Sequence, residues 1–171
     1  LKYAGESARD KLNRVAAALQ EKGAKSMLLC ALDEVAWVLN LRGDDIPMSC
    51  FFMGYLLIEV NHDNVVKATL YCDNHTNESE IISSIITSDN HDESKKVEVQ
   101  AELKPYNQIS EDINNQSPAL PIWCDKETLP TKLYSALISS GMKTLEEDGI
   151  IISPVESKNL IFYNNMNSVS N

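Results

Sequence analysis

Leu32-Asp33-Glu34-Val35-Ala36-Trp37-Val38-Leu39-Asn40-Leu41-Arg42-Gly43-Asp44-Asp45-Ile46-Pro47 is the stretch on which the reading of this chain turns. Asp33 and Glu34 open a short amphipathic helix carrying Trp37, with Asp33 as its expected cap. An Asn-Leu-Arg-Gly exit follows, and an acidic Asp-Asp-Ile-Pro bend closes the segment. Just upstream, Met27-Leu28-Leu29-Cys30-Ala31 is short and apolar on both parities, as a central strand covered on both faces would be. Further back, Ser7 reads as an N-cap with Asp10 in the first turn. Leu12, Val15, Ala16 and Leu19 then recur at helical spacing, with Arg14, Gln20 and Glu21 outward, until Gly23 stops the helix.

Downstream, Phe51–Val60 and Val65–Cys72 form two apolar runs joined by Asn61-His62-Asp63-Asn64, the chemistry of a hairpin turn. Ile81, Ile82, Ile85 and Ile86 fall on one helical face, and Ser88–Lys96 is a polar loop. Val97–Leu103 alternates as a half-solvated strand that Pro105-Tyr106 ends, and Ile109 and Ile113 mark a short helix. Pro121–Asp125 is a further strand, Thr131–Ser140 a helix with Leu133, Ala136 and Leu137 inward, and Gly149–Ile152 a last strand. Strands alternating with helices imply an α/β fold, and the hairpin makes its β-sheet mixed, flanked by helices. One domain is expected over residues 1–160, with 161–171 a polar tail or a cut end.

The chain has 171 residues, 43% of them hydrophobic, which suffices for one core. No apolar run approaches the roughly 18 residues of a membrane span, so no membrane partner is expected. A formal net charge of −10 argues against nucleic acid, because phosphate binding needs clustered Lys and Arg. The sequence opens without Met or an apolar signal core and is expected to begin mid-protein. Cys30, Cys50, Cys72 and Cys124 are widely spaced. Free thiols, with Cys30 and Cys72 on core strands, suit a cytoplasmic setting. The sequons at Asn74, Asn77 and Asn115 are read as chance matches in Asn-rich loops.

The Leu32–Pro47 segment closely resembles one in aminopeptidase P, the manganese-dependent Xaa-Pro aminopeptidase family. Lys2-Tyr3-Ala4-Gly5 is similar to that family's approach into the same domain. Phe51–Ile58 is similar to its strand after the Arg-Gly bend, Lys104-Pro105-Tyr106 to its strand-ending Pro-Tyr, and Ser153-Pro154-Val155 to its exit. The chain departs at Ser49-Cys50, where the family has Asn-Pro, and at Glu156–Asn159, where its exit helix is degraded. The resemblance implies the second creatinase-like N-terminal domain of a three-domain, cytoplasmic metallopeptidase that hydrolyses the N-terminal Xaa-Pro bond of peptides. It implies as neighbours a first N-terminal domain and a C-terminal catalytic domain, in a parent that could be a homodimer. Two Mn²⁺, held by two Asp, one His and two Glu, belong to that catalytic domain, and none of the motifs that place those ligands occurs in this sequence.

This chain by itself is therefore expected to have no catalytic residue, no metal ligand and no cofactor. His62, His75 and His91 all lie in polar loops without metal-ligand spacing. Adjacent helical residues diverge by about 100°, so Asp33 and Glu34 do not form an acid/base pair. Trp37 and Trp123 read as core aromatics rather than substrate platforms. Arg42 is expected to clamp the Gly43-Asp44-Asp45 bend by bidentate pairing, or else to brace a neighbouring domain. Arg42, Asp44, Asp45 and Trp37 are thus the candidate scaffold or domain-interface residues. The rival reading is a metal-free, aminopeptidase-like module that binds a basic protein, as in histone-chaperone relatives of this superfamily, which the acidity permits.

Overall fold

The structure, a computed structural model, describes residues 4–61, 63, 65–73, 77–87, 97–115, 122–125 and 128–139. The expected loop at 88–96, the strand at 149–152, the exit at 153–155, the boundary near 160 and all three histidines lie outside these residues.

Ser7 starts helix α1 (Ala8–Glu21), its Oγ accepting the Asp10 amide at 3.1 Å. Gly23, at φ +68°, takes the left-handed conformation that ends it. Strand β1 (Ser26–Leu29) is buried at every position. Helix α2 (Leu32–Leu39) follows, then the antiparallel hairpin of β2 (Gly54–Val60) and β3 (Val66–Cys72). The Asn61 side chain closes the hairpin by accepting the amides of Asp63 and Val65. Helix α3 (Glu78–Ile86), strand β4 (Val99–Lys104), a 3-10 turn (Tyr106–Gln108), helix α4 (Ile109–Asn115), strand β5 (Ile122–Cys124) and helix α5 (Thr131–Ser139) complete the order.

The strands form one mixed sheet in the order β4-β3-β2-β1-β5. β1 pairs antiparallel with β2 and parallel with β5, and β3 pairs parallel with β4. One face packs Leu12, Val15, Ala16 and Leu19 of α1, Val35, Val38 and Leu39 of α2 and Ile85 of α3 against Leu56, Ile58, Val66, Ala68 and Leu70. On the other, Ile109 and Ile113 of α4 and Leu133, Ala136 and Leu137 of α5 cover Leu28, Leu57, Tyr71 and Ile122. The Asp112 carboxylate fastens α4 to the sheet, accepting from Tyr71 Oη at 2.8 Å and Lys104 Nζ at 2.6 Å.

Two expectations need correction. Asp33 does not cap α2: the N-cap position is Ala31, with no side-chain hydrogen bond, and Asp33 lies in the first turn, where its charge favours the helix dipole. The strand expected from Phe51 starts only at Gly54, because Cys50–Met53 is bound to the preceding bend. The Gly43 amide donates to Cys50 O at 3.0 Å, and the Met53 amide to Asp45 Oδ2 at 2.7 Å.

Lys11 supplies the joint between α1 and α2. It lies on the apolar stripe of α1 and is only 2% exposed. Its Nζ donates to Trp37 O at 2.7 Å and Asn40 Oδ1 at 2.6 Å, and sits 4.1 Å from the centroid of the Trp37 ring. Asn40 Nδ2 donates in turn to Glu6 O at 2.8 Å, and Glu6 takes both Arg14 Nε and Nη2. Burying an ammonium costs several kcal/mol, whereas hydrogen bonds from a charged donor return about 1.5–3 kcal/mol each. Burial is the stronger effect on titration: the Lys11 pKa is lowered to about 8, with Glu6 opposing the shift.

Lys11→Met should destabilise the domain by about 1–3 kcal/mol at pH 7, since Trp37 O and Asn40 Oδ1 each lose a charged donor. Between the folded pKa of about 8 and the ordinary 10.5, the unfolded chain holds a proton that the folded chain has released. The contribution of Lys11 to stability therefore rises with pH across that window and is flat below it. Denaturant unfolding of both proteins from pH 7 to 10.5 should show the gap widening; a gap that narrows would contradict this assignment.

All four cysteines are free thiols, Cys30, Cys72 and Cys124 buried and Cys50 exposed. Burial, then the Asp73 and Asp45 carboxylates, push the Cys72 thiol up to about 11. Native alkylation followed by mass spectrometry should modify Cys50 alone, and denaturation should release the other three. Rapid native labelling of Cys72 or Cys124 would show the packing to be wrong.

Candidate functional site

The segment from Trp37 to Met53 begins at a helix end made by Asn40. This residue adopts a left-handed conformation, φ 56° and ψ 25°. Its amide donates to Trp37 O, and the Leu41 amide donates to Ala36 O at 3.1 Å. That is the two-bond closure of a Schellman motif, with Asn where Gly is commonest. The Asn40 side chain remains available to Lys11 and the Glu6 carbonyl, which a glycine could not serve. The packing of α1 thereby dictates where the chain leaves α2.

Arg42 comes next and does not form the expected clamp. Its Nη1 donates to Leu41 O at 2.7 Å and Ala36 O at 3.2 Å rather than to the carboxylates of Asp44 and Asp45. Those carbonyls lie at the negative end of the α2 dipole, where a cation is favoured. The bend is held instead by main-chain contacts and by Asp45, whose carboxylate takes the Met53 amide. Gly43 is required by proximity: a Cβ there would stand 2.5 Å from the Phe52 Cβ. The Ser49 amide closes a turn onto Ile46 O at 3.0 Å, and Met48 at its tip has φ 61°. Met48 is fully exposed and Met53 half exposed.

Across from the bend, the Asp73 Oδ1 at the end of β3 accepts the Tyr106 amide at 3.1 Å. The Tyr106 ring stacks on Tyr55 at 4.8 Å between centroids, and its hydroxyl donates to Tyr55 Oη at 2.7 Å. Two adjoining hollows lie between these elements. One, about 230 Å³, is lined by Leu41, Arg42, Asp44, Phe52, Leu70 and Ile81 among others; the other, about 280 Å³, by Met53 and Tyr106. Asp45 and Asp73 line both, so the two hollows share a wall along one groove face.

Of the candidate residues, Arg42, Asp44 and Asp45 line this groove, while Trp37 does not and is half-buried against the Lys11 ammonium. Trp123 is a core residue, 1% exposed. Asp73, Met53 and Tyr106 were not among the expected site residues; the Pro-Tyr at the end of β4 was the available signal. Among the described residues no group of three His, Cys, Asp or Glu side chains could hold a metal ion.

Residues 1–161 match the family described as the creatinase/prolidase N-terminal domain. Aminopeptidase P2 of Arabidopsis thaliana is 35% identical over 141 residues, covering 82% of this chain and 18% of that protein. Xaa-Pro aminopeptidase 1 of Dictyostelium discoideum is 29% identical, over 82% of this chain and 20% of the other. An X-prolyl aminopeptidase of Caenorhabditis elegans, described as a cytosolic enzyme with a di-nuclear active site, superposes with a TM-score of 0.60 at 19% identity. That fold match covers 78% of this chain and 20% of the other. The chain thus spans about a fifth of the length of these relatives. It belongs to the creatinase/prolidase N-terminal domain family and is related to the Xaa-Pro aminopeptidases.

Proposed function

We propose that the chain is the non-catalytic second N-terminal domain of a cytoplasmic, metal-dependent Xaa-Pro aminopeptidase. In that parent it sits between a first N-terminal domain and the catalytic domain, and positions one against the other. The observation that carries the reading is the family match over residues 1–161, in a chain that spans about a fifth of its relatives' length. The two Mn²⁺ would supply an activated water and charge stabilisation in the catalytic domain. The residues of this chain contribute shape and docking.

The reading makes two separable demands. The chain alone should neither turn over Xaa-Pro peptides nor bind Mn²⁺ stoichiometrically. The full-length parent should hydrolyse such peptides and lose that activity when residues 1–161 are deleted. Peptide turnover by all three proteins, with calorimetric Mn²⁺ titration of the chain, decides the matter. Turnover by the chain alone, or a parent lacking metal ligands beyond residue 171, would overturn it; the latter would favour a metal-free module for a basic protein.

Within this reading Arg42 is a scaffold residue. Arg42→Ala should lower the unfolding free energy by about 0.5–1.5 kcal/mol, because its bonds to Leu41 O and Ala36 O are partly solvated. Turnover by the full-length variant should stay within about twofold, a barrier change well under 1 kcal/mol. An unchanged unfolding midpoint with a large loss of turnover would assign Arg42 to the domain interface instead.

A further inference from the structure

Strand β4 ends the sheet, and its outer side is chemically unfinished. The Val66 amide donates to Glu98 O at 2.8 Å, and the parallel register sets Val66 beside Val99, Ala68 beside Ala101 and Leu70 beside Leu103. In a parallel ladder that phase turns the N–H and C=O groups of Glu98, Gln100, Glu102 and Lys104 toward β3. Those of Val97, Val99, Ala101 and Leu103 point away from it. The Val97 carbonyl is taken by Arg9 Nη2 at 3.1 Å. Among the described residues the outward groups of Val99, Ala101 and Leu103 have no hydrogen-bond partner. Val99 and Leu103 are nonetheless buried and Ala101 half-buried, and main-chain groups in such surroundings are nearly always paired. Half-buried Ile82 and Ile86 of α3, which packs on β4, lie with Val97 and Ala101 on the same side of the sheet.

We propose that β4 pairs with β4 of a second copy of this chain, antiparallel about a twofold axis at Ala101, so that two sheets join into one. The occupant is a second copy because the strand is complementary to itself in bonding phase, face and charge order. With the axis at Ala101, Ala101 faces its own counterpart and Val99 faces Leu103, and every outward group of the three residues finds a partner. On the sheet face away from α3, Glu98 falls opposite Lys104 of the second copy and Gln100 opposite Glu102. Neighbouring registers are worse. An axis at Gln100 sets Glu98 against Glu102. An axis at Glu102 sets two glutamates against each other and Val99 against Pro105, which has no N–H. Lys104 already meets Asp112 at 2.6 Å and Glu102 at 4.0 Å, and an ammonium with three donors can serve a further carboxylate. The formal charge of −10 on each copy opposes close approach, so the pair forms by mass action at high concentration rather than obligately. This inference goes beyond the domain reading and does not depend on it.

Sedimentation equilibrium of the full 171-residue chain from about 5 to about 500 µM should show the mean mass rising from 19.1 kDa toward twice that value. Over the same range, hydrogen exchange followed by NMR should slow about tenfold at the Val99, Ala101 and Leu103 amides. The amides of Gln100, Glu102 and Lys104, bonded to β3, should be slow throughout. Glu98→Lys places like charges opposite each other at both ends of the pairing, and Ala101→Pro removes the central donor; each should weaken association about tenfold. Glu98 is exposed, so its variant folds as the wild type does even where the proline disturbs β4. A mass of 19.1 kDa at every concentration would overturn the proposal. So would a dimer in which the three outward amides exchange as fast as in the monomer, or association left unchanged by Glu98→Lys. Outward amides already slow at the lowest concentration would overturn it too, because another part of the same chain would then cover the edge.

Discussion

The Lys11 ammonium, buried against the end of α2, is the interaction on which the rest of the structure depends. It ties two helices that share one face of the sheet and converts a weak helix terminus into a defined exit. Its acceptors, Trp37 O and Asn40 Oδ1, are the groups whose positions set the course of Leu41 and Arg42. Because the charge is paired with neutral acceptors and an aromatic face rather than with a carboxylate, its burial is only partly offset. A leucine at position 11 would avoid that cost but leave the α2 terminus without its clamp. The fold accepts a local penalty to place the bend.

Much of the architecture was legible because its signals are local and periodic. The apolar stripe of α1, the two-parity burial of β1, the hairpin with its Asn-rich turn and the isoleucine face of α3 each declare themselves within a dozen residues. The mixed character of the sheet followed from one hairpin among alternating strands. What stayed hidden was long-range: the parallel pairing of β1 with β5 and of β3 with β4 rests on side-chain packing across the whole chain. Cap assignment also failed locally, since Asp33 resembles a cap in composition while the backbone places that position at Ala31.

The groove was half legible. Arg42, Asp44 and Asp45 stood out as charges around a glycine, but their expected mutual pairing assumed that the nearest opposite charge wins. The Ala36 and Leu41 carbonyls competed successfully for the guanidinium because they stand at the C-terminal end of α2, where a cation is favoured. Asp73 and Tyr106 join the groove only through the sheet order, which brings the end of β3 and the turn after β4 beside a bend more than twenty residues earlier. Lys11 carried a signal that went unread: a lysine one position before Leu12, on a stripe otherwise made of Leu, Val and Ala, is a charge in an apolar face and calls for a buried acceptor.

The sheet order also has a consequence for the birth of the molecule. The hairpin of β2 and β3 closes over a few residues, and β1 can join it as soon as β2 exists, but Ser26 meets Ile122 only after nearly a hundred further residues have been made. Loop-closure entropy and the direction of synthesis both put that pairing late. Until it forms, the outer edge of β1, apolar on both sides, is exposed on the nascent chain, where unpaired edges are open to the wrong partners. Ribosomal pausing or chaperone capture between the emergence of β3 and that of β5 would therefore bear on the yield of this domain.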